Sequence, residues 1–146
     1  MKLSIIGSRG IPAKYGGYEV FAEQLAVRLA QKGFSVTVCC EFKEDKIDTY
    51  QGVNLKNFPF PSPQNYTLRK IYETFNDVYF MIKMARSSDI MYVCGTTAGG
   101  VMFIPKLLNR KMNLFVNIGG LEWKRDKWSK LERSFLKINT QSATVF

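Results

Sequence analysis

The chain has no histidine, few cysteines and no long apolar run. Without an imidazole it cannot build a Ser-His-Asp or Cys-His nucleophile, a histidine general base or a histidine-ligated zinc site. Any catalysis must therefore use carboxylates, lysine, arginine, tyrosine, backbone dipoles, or groups that the chain does not contain. The three cysteines, Cys39, Cys40 and Cys94, fit neither a disulfide scaffold nor a zinc cluster by number or spacing. They lie at the ends of apolar runs, so we expect buried, reduced thiols and a cytoplasmic protein.

A membrane span and a leader sequence are also not expected. The longest uncharged run, residues 90–105, contains three glycines. A membrane-spanning helix needs about 20 mainly apolar residues, so this run predicts a strand, a turn and the start of a helix instead. The N-terminus reaches Arg9 after too short an apolar stretch for a signal peptide.

Positive charge is concentrated in the C-terminal third of the chain, whose formal net charge is +9. Residues 106–137 hold nine Lys or Arg against three acids, whereas residues 1–105 hold twelve against nine. Such a surplus indicates a phosphate-bearing substrate, an anionic membrane surface or nucleic acid as partner, or simply a solvated lysine-rich face. Nucleic acid is the weakest of these, since no helix-turn-helix or RNA-binding signature accompanies the charge.

Strand and helix signals alternate along the chain. Residues 2–7 form a short apolar run ending in glycine, and residues 18–32 place apolar side chains on one helical face. Further strands are predicted over residues 35–40, 53–58, 89–94, 113–118 and 143–146. Further helices are predicted over residues 67–85, over a short stretch that ends at residue 108, and over residues 129–138. The last of these helices begins with a capping box from Ser129 to Glu132.

The predicted strands are mostly unbroken apolar runs, which is typical of a parallel sheet covered by helices on both faces. With right-handed crossovers this becomes a Rossmann-like, doubly wound α/β sheet in a single domain, residues 1–146. The last predicted strand stops at the end of the chain, so we expect one part of a larger protein.

Three loops follow predicted strands and would meet at the carboxyl edge of the sheet, where such folds bind ligands. In the first loop, Gly16 and Gly17 lack the dinucleotide-binding spacing, but at a helix start they would let backbone N–H groups approach an anion. Arg9 and Lys14 add positive charge there. The alternative is an ordinary surface loop with turn glycines. The second loop, residues 95–100, would let a ligand come close to its backbone. Alternatively, its glycines allow close packing of a helix on the sheet, and we favour this alternative.

The third loop, residues 119–128, holds both tryptophans of the chain among basic and acidic side chains. Aromatic faces stack on sugar rings, and Arg and Lys bind phosphate. A buried Glu122 can accept hydrogen bonds from sugar hydroxyls or act as a base. Alternatively, Trp123 and Trp128 pack against the helix that follows.

Two segments, IIGSRGIPAKYGGYEVFAEQLAVRLAQKG and GLEWKRDKW, carry a resemblance that covers nearly the whole chain. They resemble the N-terminal domain of bacterial rhamnosyltransferase-like glycosyltransferases, in the large retaining family with two Rossmann-like domains (GT-B). The resemblance implies an enzyme of cell-surface polysaccharide synthesis. This half would hold a lipid-linked glycan acceptor at the cytoplasmic membrane face, and a second domain would hold the nucleotide-sugar donor. Peripheral contact with the membrane is also implied; we expect no cofactor and no metal.

The resemblance also assigns roles to single residues. Gly16 and Gly17, with Arg9, would face the donor phosphates. Glu122 is the candidate catalytic carboxylate. The acceptor side would be formed by Lys14, Tyr15, Trp123, Lys124 and Arg125. The family usually has Asp directly before Gly-Leu-Glu-Trp, where this chain has Gly119. Because the donor domain lies elsewhere, we expect residues 1–146 alone to be inactive as a transferase.

A different class of function stays open: a non-catalytic module that binds carbohydrate or phosphate, or docks onto a partner, without doing chemistry. The missing histidine and the missing second domain favour it. A dinucleotide-dependent dehydrogenase is disfavoured, because the glycine spacing is wrong and Glu41 is the only candidate acid after the second predicted strand.

Overall fold

The computed structural model describes residues 1–14, 16–126 and 128–144, and of Glu122 the backbone alone. The strands are β1 Lys2–Ile6, β2 Ser35–Cys40, β3 Thr49–Tyr50, β4 Val53–Asn57, β5 Ile90–Cys94 and β6 Asn113–Asn117. The helices are α1 Gly17–Gln31, α2 Tyr66–Ala85, α3 Phe103–Leu108 and α4 Lys130–Ala143, with short 3-10 turns at Gly99–Val101 and Glu122–Lys124. Within those ranges no helix combines the length and the apolarity needed to cross a bilayer.

The strands form one sheet in the order β3-β4-β2-β1-β5-β6. β1 pairs in parallel with β2 and β5, β2 pairs in parallel with β4, and β5 pairs in parallel with β6. Only the short β3, which no sequence pattern predicted, is antiparallel to its neighbour β4. From β1 the chain winds outward through β2 and β4, then crosses to the other side through β5 and β6. This order confirms the predicted Rossmann-like, doubly wound α/β sheet.

The two faces of the sheet are covered differently. On one face, α1 packs on β1, β2 and β4 through the fully buried Ala22 and Ala26. On the other face, α2, α3 and α4 share a core around Phe58, just after β4. The Phe58 ring is fully buried and lies 5.2–6.1 Å, centroid to centroid, from five other aromatic rings. This aromatic cluster positions α2 along the sheet.

α2 is the helix predicted over residues 67–85, and only part of its apolar surface faces inward. Its apolar residues Leu68, Ile71, Phe75 and Ile82 are 47–62% exposed. The buried positions are Tyr72, Asn76, Asp77, Phe80, Met81 and Ala85. The helix therefore has one apolar stripe in the core, a second that is about half exposed, and two polar residues facing inward.

The predicted strand over residues 143–146 is wrong where it can be checked. α4 runs on to Ala143, past the predicted end near residue 138, and Thr144 is its C-cap. Val145 and Phe146 lie outside the described residues. The helix continues because buried Asn139, Thr140 and Ala143 extend its inward face, so packing outweighs local β propensity.

The predicted capping box at the start of α4 is confirmed. The Ser129 hydroxyl accepts a hydrogen bond from the Glu132 N–H, and the Glu132 carboxylate accepts one from the Ser129 N–H at 2.9 Å. Glu132 also forms a salt bridge with Lys70 of α2. The start of α4 is thereby held to α2.

The glycine-rich loop after β5 packs tightly against α4. A Cβ on Gly99 would overlap the backbone carbonyl of Asn139, and the Gly100 N–H donates to Asn139 Oδ1 at 2.7 Å. The hydroxyls of Thr96 and Thr140 are hydrogen-bonded at 2.9 Å. The loop is closely packed, but against α4, so the favoured interpretation of helix–sheet packing is wrong about the partner.

We expect Gly99→Ala to destabilise the protein by about 1–3 kcal/mol, because the added methyl group must push α4 away from the loop. Gly17→Ala is the matched control, since a Cβ there would meet no atom within 4 Å. Its effect should stay within about 0.5 kcal/mol. Urea unfolding measures both variants. Equal stability of the two would contradict the close approach of Gly99 to α4.

Candidate functional site

A cavity of about 930 Å³ opens at the carboxyl edge of the sheet, at the ends of β1 and β5. Strand order reverses between these two strands, and doubly wound sheets bind their ligands at such a reversal. The loops after β1, β5 and β6, the first turn of α1, and parts of α2 and α4 line the cavity. All three loops singled out in the sequence therefore meet in one place, at the start of α1.

The positive end of α1 lies in the cavity wall. Gly16 is the N-cap of the helix and Gly17 its first residue, and both line the cavity. Gly16 has φ 98°, a left-handed conformation that favours glycine, and a Cβ there would overlap the Glu19 carboxylate. At Gly17 the space around the backbone is open. The helix dipole and the first-turn N–H groups are thus placed as an anion contact would require.

Arg9 also lies in the wall, but carboxylates already surround it. Its guanidinium is 3.4 Å from Glu73 Oε1 and 3.9 Å from Glu41 Oε1. Its backbone N–H donates to Glu19 Oε1 at 3.2 Å. Arg69 binds the same two carboxylates, at 2.9 Å from Glu41 and 3.2 Å from Glu73. Phosphate binding by Arg9 stays a prediction, and a phosphate would have to compete with these acids.

The loop after β6 reaches the cavity with only part of the predicted segment. Gly119, Gly120 and Arg125 line it, and so does Trp128. The Lys70 ammonium lies 4.6 Å from the centre of the Trp128 ring, so this tryptophan joins α2 to the start of α4. Trp128 therefore serves both as packing and as cavity wall.

The other predicted site residues are not brought to the cavity or are not described. Trp123 is half-buried, Lys124 and Lys14 are exposed, and none of the three is among the described lining residues. Tyr15 and the side chain of Glu122 lie outside the described part of the structure. The roles assigned to all five stay predictions.

Gly119 makes room for a tyrosine. A Cβ on Gly119 would overlap the hydroxyl oxygen of Tyr18, in the first turn of α1. The place where the resembling family usually carries an Asp side chain is therefore taken by the Tyr18 hydroxyl. This contact sets the loop after β6 directly against the start of α1.

The α2 wall of the cavity is polar and was missed in the sequence. Asn76 and Asp77 line the cavity and are only 2% and 7% exposed. Asp77 accepts hydrogen bonds from Asn76 Nδ2 at 3.5 Å and from the Thr97 hydroxyl at 3.4 Å. Among the described residues, Asn76 Oδ1 and the Ser8 hydroxyl are buried without a hydrogen-bond partner. The sequence signal was weak, because these two adjacent polar residues lie in an amphipathic helix that carries other polar residues, among them Arg69 and Glu73.

Burial raises the pKa of Asp77 from 3.8 to about 7. Glu73 and Glu41 raise this pKa as well, whereas the hydrogen bonds from Asn76 and Thr97 lower it. Asp77 therefore exchanges its proton near neutral pH. A buried carboxyl with a shifted pKa in a cleft is typical of a functional residue.

The cysteines are free and buried, which confirms the predicted buried thiols. Cys94 lines the cavity, but burial raises its pKa to about 12, so it stays protonated. Burial also raises the pKa of Cys39 and of Cys40. None of the described residues form a group of three or more Cys, Asp or Glu placed to hold a metal ion.

The family described as "Domain of unknown function (DUF1972)" matches residues 1–146. The chain belongs to the DUF1972 family. No curated protein matches it. Because the DUF1972 match spans the whole sheet and all four helices, every wall of the cavity belongs to the family's domain.

In this DUF1972 domain, Asp77→Asn should stabilise the fold at pH 8 but not at pH 4. The folded pKa of about 7 lies above the ordinary 3.8, so ionisation weakens the folded state. The contribution of wild-type Asp77 to stability is therefore highest below pH 4, falls as pH rises to 7, and is constant above that.

At pH 8 the gain from Asp77→Asn should be on the order of 2–4 kcal/mol. Urea unfolding across this pH range measures it. Asp45→Asn makes the same charge change at an exposed position and should leave stability unchanged. If wild type and Asp77→Asn had parallel pH profiles, the shifted pKa of Asp77 would be wrong.

Proposed function

We propose that this domain is the acceptor-binding half of a two-domain glycosyltransferase that transfers a sugar, such as rhamnose, from a nucleotide-sugar to a lipid-linked glycan. One observation carries the proposal. The two segments that resemble glycosyltransferases lie far apart in the chain. Both open into a single cavity, at the point where the strand order of the sheet reverses. Its volume of about 930 Å³ suits a glycosyl unit with part of its phosphate carrier.

In this proposal the domain contributes position and dipoles rather than a nucleophile. The leaving diphosphate would meet the backbone N–H groups of Gly16 and Gly17, beside the guanidinium of Arg9. Because Arg9 already contacts Glu41 and Glu73, these carboxylates offset part of the attraction between a diphosphate and the guanidinium. The domain alone should therefore bind a nucleotide-sugar weakly, and the second domain would supply most of that affinity.

Exposed apolar residues support an acceptor that carries a lipid. On α4, Leu131, Phe135 and Ile138 are 85%, 53% and 61% exposed and recur at helical spacing. The exposed Lys130 and Lys137 lie on the same helix. A helix that exposes apolar side chains together with lysines is typical of contact with an anionic lipid surface. Since α4 also lines the cavity, a sugar inside it and a lipid along α4 would lie within reach of each other.

A non-catalytic binding module is the second candidate. The carboxylates around Arg9 favour this second candidate, because they already balance the positive charge that would otherwise stabilise a leaving diphosphate. Such a module would bind the glycan and leave the chemistry to another protein.

We expect residues 1–146 to co-sediment with phosphatidylcholine–phosphatidylglycerol vesicles at low salt and less so at high salt, since salt screens the lysine contribution. The pair Leu131→Ser and Phe135→Ser should weaken binding about tenfold, because it removes two apolar side chains. Leu107→Ser on α3 changes a residue that is 64% exposed and is the control. Failure to sediment at any salt would contradict the membrane contact.

Calorimetric titration tests the proposed function itself. We expect residues 1–146 to bind a short-chain prenyl-diphosphate glycoside saturably, to bind nucleotide-sugars more weakly, and to release no nucleoside diphosphate from them. The weak donor affinity follows from the occupied Arg9. Turnover of a nucleotide-sugar by these residues alone would contradict the proposal, as would the absence of any glycoside binding. A reading frame that continues into a second Rossmann-like domain would favour the enzyme over the binding module.

A further inference from the structure

The cavity wall formed by α2 and the loop after β1 holds buried polar groups that lack protein partners. Asn76 is 2% exposed and Ser8 is 4% exposed. Within the described chain, no donor reaches Asn76 Oδ1 and no group pairs with the Ser8 hydroxyl. Both residues line the cavity. A buried polar group without a partner weakens a fold, so its presence beside a cavity points to a ligand that completes the hydrogen bond.

The charges around the cavity identify the kind of ligand. The described lining residues with a charge are Arg9, Arg125, Glu19, Glu41, Glu73 and Asp77. Carboxylates thus outnumber cations in this wall, although the chain as a whole has a net charge of +9. Arg9 and Arg69 balance Glu41 and Glu73, so the α2 wall offers an anion no surplus of positive charge. A neutral molecule that donates hydrogen bonds would be attracted.

The geometry of Asp77 leaves it able to accept more hydrogen bonds. Its two protein contacts, from Asn76 at 3.5 Å and from Thr97 at 3.4 Å, are long. A carboxylate accepts about four hydrogen bonds. Acceptor positions therefore remain on Asp77 beside the unpartnered oxygen of Asn76, which gives one wall several neighbouring acceptors.

We propose that Ser8, Asn76 and Asp77 form a subsite for the hydroxyl groups of a neutral sugar, whose O–H groups donate to Asn76 Oδ1 and to the Asp77 carboxylate. The subsite rests on the proposed function and gives its cavity two zones. Phosphate belongs at the start of α1, beside Gly16 and Gly17, and the sugar ring belongs against α2. A ligand that lacks the matching hydroxyl groups would leave these buried polar groups unpaired. The site would therefore bind such a ligand more weakly than a matching sugar.

Amide chemical shifts of isotopically labelled residues 1–146 locate the two zones. The probes are the methyl glycosides of glucose, N-acetylglucosamine and rhamnose, and separately sodium diphosphate. At least one glycoside should shift the amides of Ser8, Asn76 and Asp77, whereas diphosphate should shift those of Gly16 and Gly17. If no glycoside shifts the α2 amides, or if diphosphate alone does, the subsite is wrong.

Binding of the best glycoside by variants then tests direct contact. Asp77→Asn and Asn76→Ala should each weaken it about tenfold, and the exposed Asp45→Asn should not. Monodeoxy analogues of that glycoside identify the hydroxyl that Asp77 binds. Its removal should weaken binding to wild type about tenfold but have little effect on binding to Asp77→Asn, because one contact cannot be lost twice. Additive losses for every analogue would overturn the contact.

The two proposals fail in different ways. If a glycoside binds but shifts residues away from α2, or if only the prenyl-diphosphate glycoside binds, the sugar subsite is wrong and the proposed function stands. If no sugar-bearing probe binds at all, both are wrong. Asp77→Asn is expected to keep its fold, since the substitution removes a buried charge.

Discussion

β1 forms parallel pairs with both β2 and β5, and this pairing decides where the chain can open a crevice. The chain leaves β1 toward β2 and leaves β5 toward β6, so no crossover covers the carboxyl ends of these two strands. α1 must begin at this edge, and α2 must pass it to carry the chain from β4 across to β5. Topology alone therefore brings together residues as distant in sequence as Arg9, Asp77 and Gly119.

Charge is distributed differently in the cavity and on the chain as a whole. Arg9 and Arg69 are held by Glu41 and Glu73, so the cationic groups nearest α2 are balanced. Exposed lysines, such as Lys137 on α4, contribute to the basic surplus outside the cavity. The net charge of the sequence is thus informative about a partner at the surface. It says little about the molecule inside the cavity, whose described wall has more carboxylates than cations.

Local signals predicted most of the fold, because apolar runs, capping residues and glycines act over a few neighbours. The capping box at Ser129 and the start of α1 at Gly17 are of this kind. The inward face of α2 could not be predicted in this way, since the helix has two apolar stripes and the cluster around Phe58 selects between them. The Arg9 ion pairs were missed for a related reason: their carboxylates come from other elements. Part of the predicted acceptor side, namely Lys14, Trp123 and Lys124, is not among the described residues that line the cavity.

Beside its apolar core residues, α2 buries Asn76 and Asp77 and exposes several apolar side chains, and folding alone favours neither. An apolar pair in place of Asn76 and Asp77 would extend the core that contains Phe80 and Met81, while Ile71 and Phe75 are 62% and 54% exposed. Proteins keep such unfavourable arrangements where function requires them. A ligand with a polar, hydroxyl-rich head and an apolar tail accounts for both departures, since it would satisfy the buried pair inside and meet apolar side chains outside.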